Sequence, residues 1–413
     1  MKRVLAVIVL LSLVLLGCQS QTPLVYNVNK SEELKEYEAE SIRESQFEES
    51  LEQQKNLAES ESLALAQAEV WTKKKPDKEA VKVKGIYISS KVAGSSLMQK
   101  IIDRIDQTEL NAVVIDILDD QGRIEYAMSG DLVSEIGSAE QTIPDIQALM
   151  RSLKEHNIYS IARIVTFRDP YLENVKPEWL NHNADGTVFH DNSGMTWINP
   201  YNRDAWEYKV QVAEQCADVG FDEIQFDYVR FCTEKGMNSV VYSDEETGGM
   251  DKTDIITEFV RFAADRLAAK NVFMSADVFG TIIGSYVDTV SVGQDYPVMA
   301  GAADYMCPMI YPSHYGNGNF GLDVPDTHPY ESILGACNAS KKDLALEYQD
   351  GVHQAKVRPW LQGFTASYLS SYIHYGAAEV RQEIQAVYDA GYDEWLIWNA
   401  SNEYPWDAFL PAA

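Results

Sequence analysis

Short apolar runs rich in β-branched residues recur along the chain from residue 85 onward. Most of them lack the alternation of a half-exposed strand, so we predict strands covered on both faces, as in parallel sheets. Eight such runs occur, at 85–90, 112–120, 159–167, 223–231, 272–280, 304–312, 358–364 and 394–401. Eight buried strands in one domain point to a large sheet or a barrel.

Amphipathic helical stretches lie between several of these runs, at 143–157, 204–220, 253–271 and 377–392. The first places four apolar residues on one stripe at helical spacing, namely Ile146, Leu149, Met150 and Leu153. Repeated strand–helix units predict an α/β fold, and eight of them fit a (β/α)8 TIM barrel with insertions. An open doubly wound sheet is the alternative, but no GxGxxG motif follows the first strand.

The N-terminus has the pattern of a lipoprotein signal. Two basic residues precede an apolar run over 4–16, which is too short for a comfortable membrane span. The run ends in a bacterial lipobox, "LLGC", in which Cys18 would be lipidated and become the first residue after cleavage. We predict a signal peptide over 1–17 and a lipid anchor on the extracytoplasmic face of a cell membrane. An ordinary signal peptide with a chance cysteine is the alternative.

The composition changes between residues 31 and 70. This segment has twelve Glu against three basic residues, and it contains no Gly or Pro. Its leucines are too irregularly spaced for a good heptad seam. We predict an acidic helical or disordered stalk within a linker over 18–82, followed by the barrel domain over 83–413. A coiled coil or a partner-binding segment is the alternative.

Composition also narrows the possible partners and chemistry. The formal net charge of −29 argues against a nucleic-acid partner, which would need clustered Lys and Arg. No GxSxG motif is present, and no pattern indicates a cofactor. The cysteines after the lipobox have no CxxC spacing, so we interpret them as buried thiols: Cys216, Cys232, Cys307 and Cys337.

Carboxylates mark the ends of several predicted strands. Asp227 lies late in the fourth strand and Asp277 late in the fifth. Asp116 lies within the second strand, and Asp119 follows close behind. A buried carboxylate is costly unless it is paired, hydrogen-bonded or used. Because active sites of TIM barrels lie at the C-terminal strand ends, these groups should share one face. For Asp119, a loop or N-cap role is an equal alternative.

Two carboxylates facing one cleft suit glycoside hydrolysis. One acts as nucleophile or base, while the other is kept protonated and donates to the leaving oxygen. We predict that Asp227 and Asp277 form this pair. Aromatic rings stack on sugars, although core packing is the alternative for each ring. With Asp116 and Asp119, the residues predicted to bind substrate are Tyr87, Trp197, Tyr311, His314, Trp360, Trp398 and Asn399.

Five sequence blocks also resemble those of a known family. They are "KGIYISS", "TELNAVVIDILDDQGRIEY", "GFDEIQFDYVRF", "SADVFG" and "MCPMIYPSHY", and they occur in order between about 83 and 409. The blocks resemble a bacterial family of glycosyl-hydrolase-like domains of unknown function that is distantly similar to α-amylase-type barrels. The resemblance implies a TIM barrel and a carbohydrate substrate.

By analogy with amylase-type barrels, the resemblance implies particular roles. Asp227 would be the nucleophile, with Arg230 nearby as a charge partner and substrate-binding residue. Asp277 would be the acid, where those enzymes usually carry Glu. Two positions depart from the pattern, since Leu118 stands where Lys is expected and Cys232 where Pro is expected.

A long loop after the third strand is rich in His, Asp, Asn and Gly. Long loops on this face of a barrel commonly shape binding clefts. His182, His190 and Asp191 could be metal ligands, but their spacing matches no standard site. We therefore favour hydrogen bonding to substrate and predict no metal.

Three functions remain open from the sequence. The first is a surface-anchored glycoside hydrolase acting on an envelope or extracellular polysaccharide. The second is an inactive barrel that binds carbohydrate. The third is a metal-dependent hydrolase or deacetylase using Asp116, Asp227 and a loop histidine.

Overall fold

The computed structural model describes residues 71–412, in which parallel strands occupy the eight positions of a closed barrel. The strands are β1 Lys84–Ile88, β2 Ala112–Leu118, β3 Tyr159–Val165, β4 Glu223–Asp227, β5 Phe273–Phe279, β6 Tyr305–Met309, β7 in two segments at Lys356–Val357 and Trp360–Gln362, and β8 Trp395–Trp398. β1 pairs with β2 and β8, and β5 pairs with both β4 and β6, so the ring is complete. The predicted (β/α)8 TIM barrel is confirmed.

Helices surround the barrel and connect its strands. They are α1 Ser90–Ala93, α2 Leu97–Ile105, α3 Asp131–Ile136, α4 Ile146–Glu155, α5 Arg203–Val219, α6 Asp244–Thr247, α7 Lys252–Ala269, α8 Tyr286–Val292, α9 Tyr296–Ala300, α10 Pro329–Leu344 and α11 Ala377–Asp389. Short 3₁₀ turns occur at Pro170–Asn174, Pro177–Trp179, Met237–Ser239, Gly280–Ile282, Pro312–His314, Asn319–Gly321, Pro325–Thr327 and Trp406–Ala408.

The long helix before β4 begins and ends where the sequence supplies caps. Asn202 accepts a hydrogen bond from the backbone N–H of Ala205 at the start of α5. Gly220 ends the helix with a φ of 110°, a left-handed conformation that glycine adopts without a steric penalty. This turn feeds the chain directly into β4, whose far end carries Asp227.

β4 is shorter than predicted, and its end has a local cause. The sequence predicts a strand over 223–231, whereas β4 ends at Asp227. Tyr228 has a φ of 52°, which a regular strand cannot contain. The chain therefore turns directly after the carboxylate, so that Asp227 lies at the rim of the barrel.

Aromatic packing fixes this part of the barrel against its helices. The ring of Phe259 on α7 lies 5.1 Å from Phe167, 5.4 Å from Trp206 and 5.3 Å from Phe226, all edge to face. Burying side chains of this size contributes about 1.5–3 kcal/mol each. The layer holds β4 rigidly, and with it the residues at its C-terminal end.

The chain before β1 also packs on the barrel. Lys73 Nζ lies 3.1 Å from Asp304 Oδ1, and both side chains are buried. Contacts group residues from Lys73 onward with the barrel, which is earlier than the predicted boundary at residue 83. The predicted signal segment over 1–17, Cys18 and the stalk over 31–70 lie outside the described residues.

Two further properties bear on the sequence predictions. The thiols after the lipobox are all buried and free, as predicted: Cys216, Cys232, Cys307 and Cys337. Within residues 71–412, no helix has the length and apolar character needed to cross a membrane.

Candidate active site

A pocket of about 190 Å³ opens at the C-terminal ends of the strands. It brings together seven residues that the sequence predicts for the site: Asp227, Arg230, Asp277, Tyr311, His314, Trp360 and Trp398. Arg163, Tyr228, Phe279 and Met309 complete the lining. Sites for drug-sized ligands typically measure about 300–1,000 Å³, so this pocket suits a single sugar unit.

Larger cavities lie elsewhere, but their lining is less suited to chemistry. One of about 460 Å³ lies at the N-terminal ends of β3 and β4, beside Tyr159 and Asp222. The pocket at the C-terminal ends is the candidate because two buried carboxyl groups, Asp227 and Asp277, line it together.

Arg163 joins two of the predicted carboxylates. It lies on β3 directly opposite Asp116 of β2 in the parallel register. Its Nη1 donates to Asp116 Oδ1 at 2.5 Å, and its Nε and Nη2 donate to Asp227 Oδ2 at 3.0 and 2.6 Å. Burial lowers the pKa of Arg163, but the two carboxylates outweigh burial and raise it well above its ordinary value. The guanidinium therefore stays charged and fixes both carboxylates.

Asp227 is held from two sides. Arg163 binds its Oδ2, and the backbone N–H of Tyr228 donates to its Oδ1 at 2.6 Å. The left-handed backbone at Tyr228 is costly for a bulky residue and is typical of functional sites. These contacts fix the orientation of the Asp227 carboxylate, which lines the pocket.

Asp277 has a different environment. Its side chain accepts a hydrogen bond from Trp360 Nε1 at 2.7 Å, a neutral donor. Burial, followed by the charge of Asp227, raises the pKa of Asp277 well above its ordinary value. The Trp360 hydrogen bond and the charge of Arg163 oppose this shift only in part. Asp277 is therefore expected to remain protonated where Asp227 is ionised.

An aromatic wall stands beside the carboxylates. Tyr87 donates its O–H to Asp116 Oδ2 and lies with its ring centroid 4.1 Å from that of Trp398. Trp398 in turn meets Trp360 nearly at right angles, with centroids 5.7 Å apart. Tyr87 thus positions Asp116, while the two tryptophans line the pocket.

Tyr311 and His314 form the opposite part of the lining. Their rings pack edge to face with centroids 4.9 Å apart. Burial lowers the pKa of His314. Burial, with the charges of Asp277 and Asp227, raises the pKa of Tyr311 well above its ordinary value. Near neutral pH both side chains are therefore uncharged groups that can hydrogen-bond to a sugar.

Arg230 lies in the pocket, but it is not the direct charge partner of Asp227 that the resemblance implies. That position belongs to Arg163. Arg230 instead donates from Nη1 to the backbone oxygen of Phe231 and packs over aromatic rings. The difference arises because the chain turns at Tyr228, which carries Arg230 beyond the end of β4.

Five predicted residues lie outside the pocket lining: Tyr87 and Asp116, described above, and Asp119, Asn399 and Trp197. Asp119 caps a turn by accepting from the backbone N–H groups of Gln121 and Arg123, and burial raises its pKa to about 7. Asn399 donates to the backbone oxygen of Gly363 at 2.7 Å and so ties two loops together. Trp197 lies behind the pocket, beneath Arg230.

The residues considered as metal ligands contact other protein groups in the structure. Arg163 binds both Asp116 and Asp227, and His190 Nε2 lies 3.0 Å from Glu173 at the surface. Within residues 71–412, no group of three or more His, Cys, Asp or Glu side chains is placed to hold a metal ion. Asp116 and Asp227 thus both bind the guanidinium of Arg163.

The sequence prediction missed Arg163, which is central to the site. The signal was present in "YSIARIV", where one charged residue interrupts a buried strand. The argument that a buried charge must be paired or used applies to Arg163 as it does to Asp227.

Comparisons with known proteins agree with this geometry. Residues 85–404 match the model of a family described as "Putative glycosyl hydrolase domain". No curated protein has a significant match to the chain.

Two of the solved structures that are similar to this chain illustrate the likeness. A hypothetical protein from Ruminiclostridium thermocellum ATCC 27405 is 36% identical over 47% of this chain and 97% of that chain, with a TM-score of 0.43. The glycoside hydrolase domain of PgaB (BpsB) from Bordetella bronchiseptica is 10% identical over 78% of this chain and 94% of that chain, with a TM-score of 0.57. At that identity, the second likeness is one of fold.

Proposed function

Because the chain belongs to the glycosyl hydrolase domain family that matches residues 85–404, we propose that it is a glycoside hydrolase acting on an envelope or extracellular polysaccharide. The observation that carries the proposal is the pairing, in one pocket, of a buried carboxyl with a raised pKa and a carboxylate bound by arginine. Glycosidases need these two protonation states side by side.

Asp277 is the proposed general acid. Its raised pKa keeps a proton on the carboxyl group at the pH where the enzyme works. The proton passes to the glycosidic oxygen as the bond between that oxygen and the anomeric carbon breaks. The Trp360 hydrogen bond fixes the orientation of the carboxyl group and favours the ionised form that remains after transfer.

Asp227 is the proposed partner. Arg163 and the Tyr228 N–H hold its carboxylate in a fixed orientation at the end of β4. It acts either as a nucleophile on the anomeric carbon or as a base that activates water for the same attack. Asp116 and Tyr87 act through Arg163, because they fix the guanidinium that binds Asp227.

Attachment to the cell membrane through Cys18 is a further part of the proposal. The "LLGC" lipobox supports it. In cell fractions, the wild-type protein should sediment with membranes and Cys18→Ser should not. Retention of the variant in the membrane fraction would contradict lipid anchoring at this residue.

The hydrolysis proposal is tested by the release of reducing ends from a panel of bacterial envelope and extracellular polysaccharides. Wild-type protein should release them, and Asp227→Asn and Asp277→Asn should each lower kcat by about 10²–10⁴-fold. Arg203→Gln is the matched control, since Arg203 is exposed and pairs with Glu258 outside the pocket.

The same panel separates the alternatives. Binding of a polymer without release of reducing ends, by a folded wild-type protein, would favour the carbohydrate-binding barrel. Loss of release on treatment with a chelator would favour the metal-dependent hydrolase. Release that persists in both Asp variants would sink the assignment of the two carboxyl groups.

A further inference from the structure

Arg230 shares the pocket with the two carboxyl groups but makes no ion pair among the described residues. Its Nη1 donates to the backbone oxygen of the next residue, Phe231, at 2.9 Å. Its guanidinium lies over three rings, with centroid distances of 4.3 Å to Phe279, 4.8 Å to Trp197 and 5.1 Å to Tyr228. The rings hold the cation in place without neutralising it.

A neighbouring arginine shows that stacking does not itself leave the charge unpaired. Arg168 lies over the same Tyr228 ring at 5.4 Å. It nevertheless lies 3.6 Å from Asp120 and 3.8 Å from Asp191. Of the two arginines, therefore, only Arg230 lacks a carboxylate within ion-pairing distance, and only Arg230 lines the pocket.

The unused donors of Arg230 are those best suited to an anion. Because Nη1 is bonded to Phe231, the Nε–H and the Nη2 group remain without a partner among residues 71–412. These two nitrogens share one edge of the guanidinium, and that edge binds two oxygens of one anion side by side. The remaining protein contacts thus leave a preformed two-point receptor.

Burial makes an anionic ligand favourable at this position. Burial lowers the pKa of Arg230, and the charges of Tyr228, Asp227 and Cys232 oppose this shift only in part. An anion bound at the free edge would compensate for the water that the guanidinium has lost. Each of the pocket's other charges has a direct partner, since Arg163 binds Asp227 and Asp277 is expected to be protonated.

We infer that Arg230 binds an anionic substituent of the substrate, either the carboxylate of a uronic acid or a sulfate ester, on the sugar that occupies the pocket. The inference rests on the proposed function and narrows its substrate from polysaccharides in general to acidic ones. The net negative charge of the whole chain does not exclude the binding of an acidic sugar in this pocket. Residues 31–70 carry a net charge of −9 out of the −29 of the whole chain, and repulsion between charges more than about 10 Å apart is screened by salt.

Binding of single sugars tests the inference without a known polymer. The full chain is titrated with D-glucuronate against D-glucose, D-galacturonate against D-galactose, and glucose 6-sulfate as the sulfate arm. Tryptophan fluorescence reports binding, because Trp360 and Trp398 line the pocket. Arg230→Gln removes the charge, Arg230→Lys keeps it without the two-donor edge, and Arg203→Gln is the control on an arginine outside the pocket that also stacks on tryptophan.

At least one acidic sugar should bind wild type about tenfold more tightly than its neutral counterpart, as expected for a charge-assisted two-point contact. The preference should nearly vanish in Arg230→Gln, remain in part in Arg230→Lys, and be unchanged in Arg203→Gln. Comparing the affinities for the two uronates with the affinity for glucose 6-sulfate shows which anion is preferred. Thermal unfolding of each variant confirms that the barrel is intact.

Three results would overturn the inference. They are equal binding of acidic and neutral sugars, an acidic preference that survives in folded Arg230→Gln, and no acidic sugar bound even at tens of millimolar. The results also distinguish failure of this inference from failure of the proposed function. Hydrolysis of a neutral polymer without acidic preference would leave the hydrolase standing, whereas Arg230-dependent binding without any hydrolysis would leave the anion site standing.

Discussion

The barrel holds an arginine–carboxylate cluster at each end, and the two differ in how many carboxyl groups share the cation. At the N-terminal end, Arg358 donates to Glu223 at 2.8 and 3.0 Å and to Glu394 at 2.9 Å. Tyr159 donates to Glu223 as well. The side chains of Arg358 and Glu223 are fully buried. This cluster is closed and each carboxylate in it has a direct cationic partner.

At the C-terminal end, one arginine faces three carboxyl groups. Arg163 bonds Asp116 and Asp227, but Asp277 receives only the neutral Trp360 N–H. With no cation bound to it, a buried carboxyl favours the protonated form. The comparison teaches that Asp277 has no cation bound to it, although Arg230 lines the same pocket, and its raised pKa favours the protonated form. The structural cluster and the proposed catalytic cluster therefore differ by a single carboxyl group without a bound cation.

The largest effect on stability is expected from Arg358→Met. It leaves Glu223 and Glu394 buried without a cation, which costs about 3–5 kcal/mol of unfolding free energy. Denaturant unfolding measures the change, with the surface variant Arg203→Gln as the control. A loss below about 1 kcal/mol, the range of an exposed pair, would show that the N-terminal cluster does not hold the barrel together.

Arg163→Met should cost less stability and more activity. The side chains of Asp116 and Asp227 retain 11% and 8% exposure, so water partly replaces the lost cation. We expect about 1–3 kcal/mol of destabilisation together with loss of reducing-end release, because no cation then holds the Asp227 carboxylate in place. If this variant proved less stable than Arg358→Met, the distinction between a structural and a catalytic cluster would be wrong.

Asp277→Asn should stabilise the protein at neutral pH. The folded-state pKa of Asp277 is raised, so ionisation opposes folding once the pH exceeds the carboxyl's unfolded-state pKa. Asparagine imitates the neutral form, so the variant should be more stable than wild type at pH near 7. The advantage should shrink as the pH falls toward about 4, where the unfolded carboxyl is protonated too. Unfolding curves across this range provide the measurement, and a variant less stable than wild type throughout would contradict the raised pKa.

The smallest effect is expected from Trp360→Phe. It removes the N–H that favours the ionised form of Asp277, so the pKa of Asp277 should rise further. The alkaline limb of the pH–kcat profile should therefore move to higher pH. Trp395→Phe is the control, because Trp395 Nε1 donates to Tyr388 instead. A shift toward lower pH would show that this hydrogen bond does not act on the general acid.

The fold could be read from the sequence because burial is a local signal. Apolar runs such as 112–120 and 159–167 predict strands whatever their partners are. The ends of strands were harder to predict from the sequence, since the end of β4 depends on the left-handed backbone at Tyr228. An aromatic residue gives no sign of that conformation in the sequence, in contrast to the glycine that ends α5.

The site was predictable where a residue's own position decides its role. Asp227 and Asp277 lie at strand ends, and their convergence follows from the barrel. Arg163 was missed because its pairing depends on the register between β2, β3 and β4, which no local pattern specifies. Asp119 and Asn399 also lie at the ends of predicted strands. Their side chains hydrogen-bond to the backbone of a turn and of a loop, as short polar side chains often do.

The central claim is that Asp277 is protonated at neutral pH in the pocket that it shares with Asp227. Infrared spectroscopy tests it most directly, through the carbonyl stretch that only a protonated carboxyl group shows. The difference spectrum between wild type and Asp277→Asn at neutral pH should contain this band, and the difference with Asp227→Asn should not. A wild-type spectrum without a band attributable to Asp277, or with one attributable to Asp227, would contradict the account.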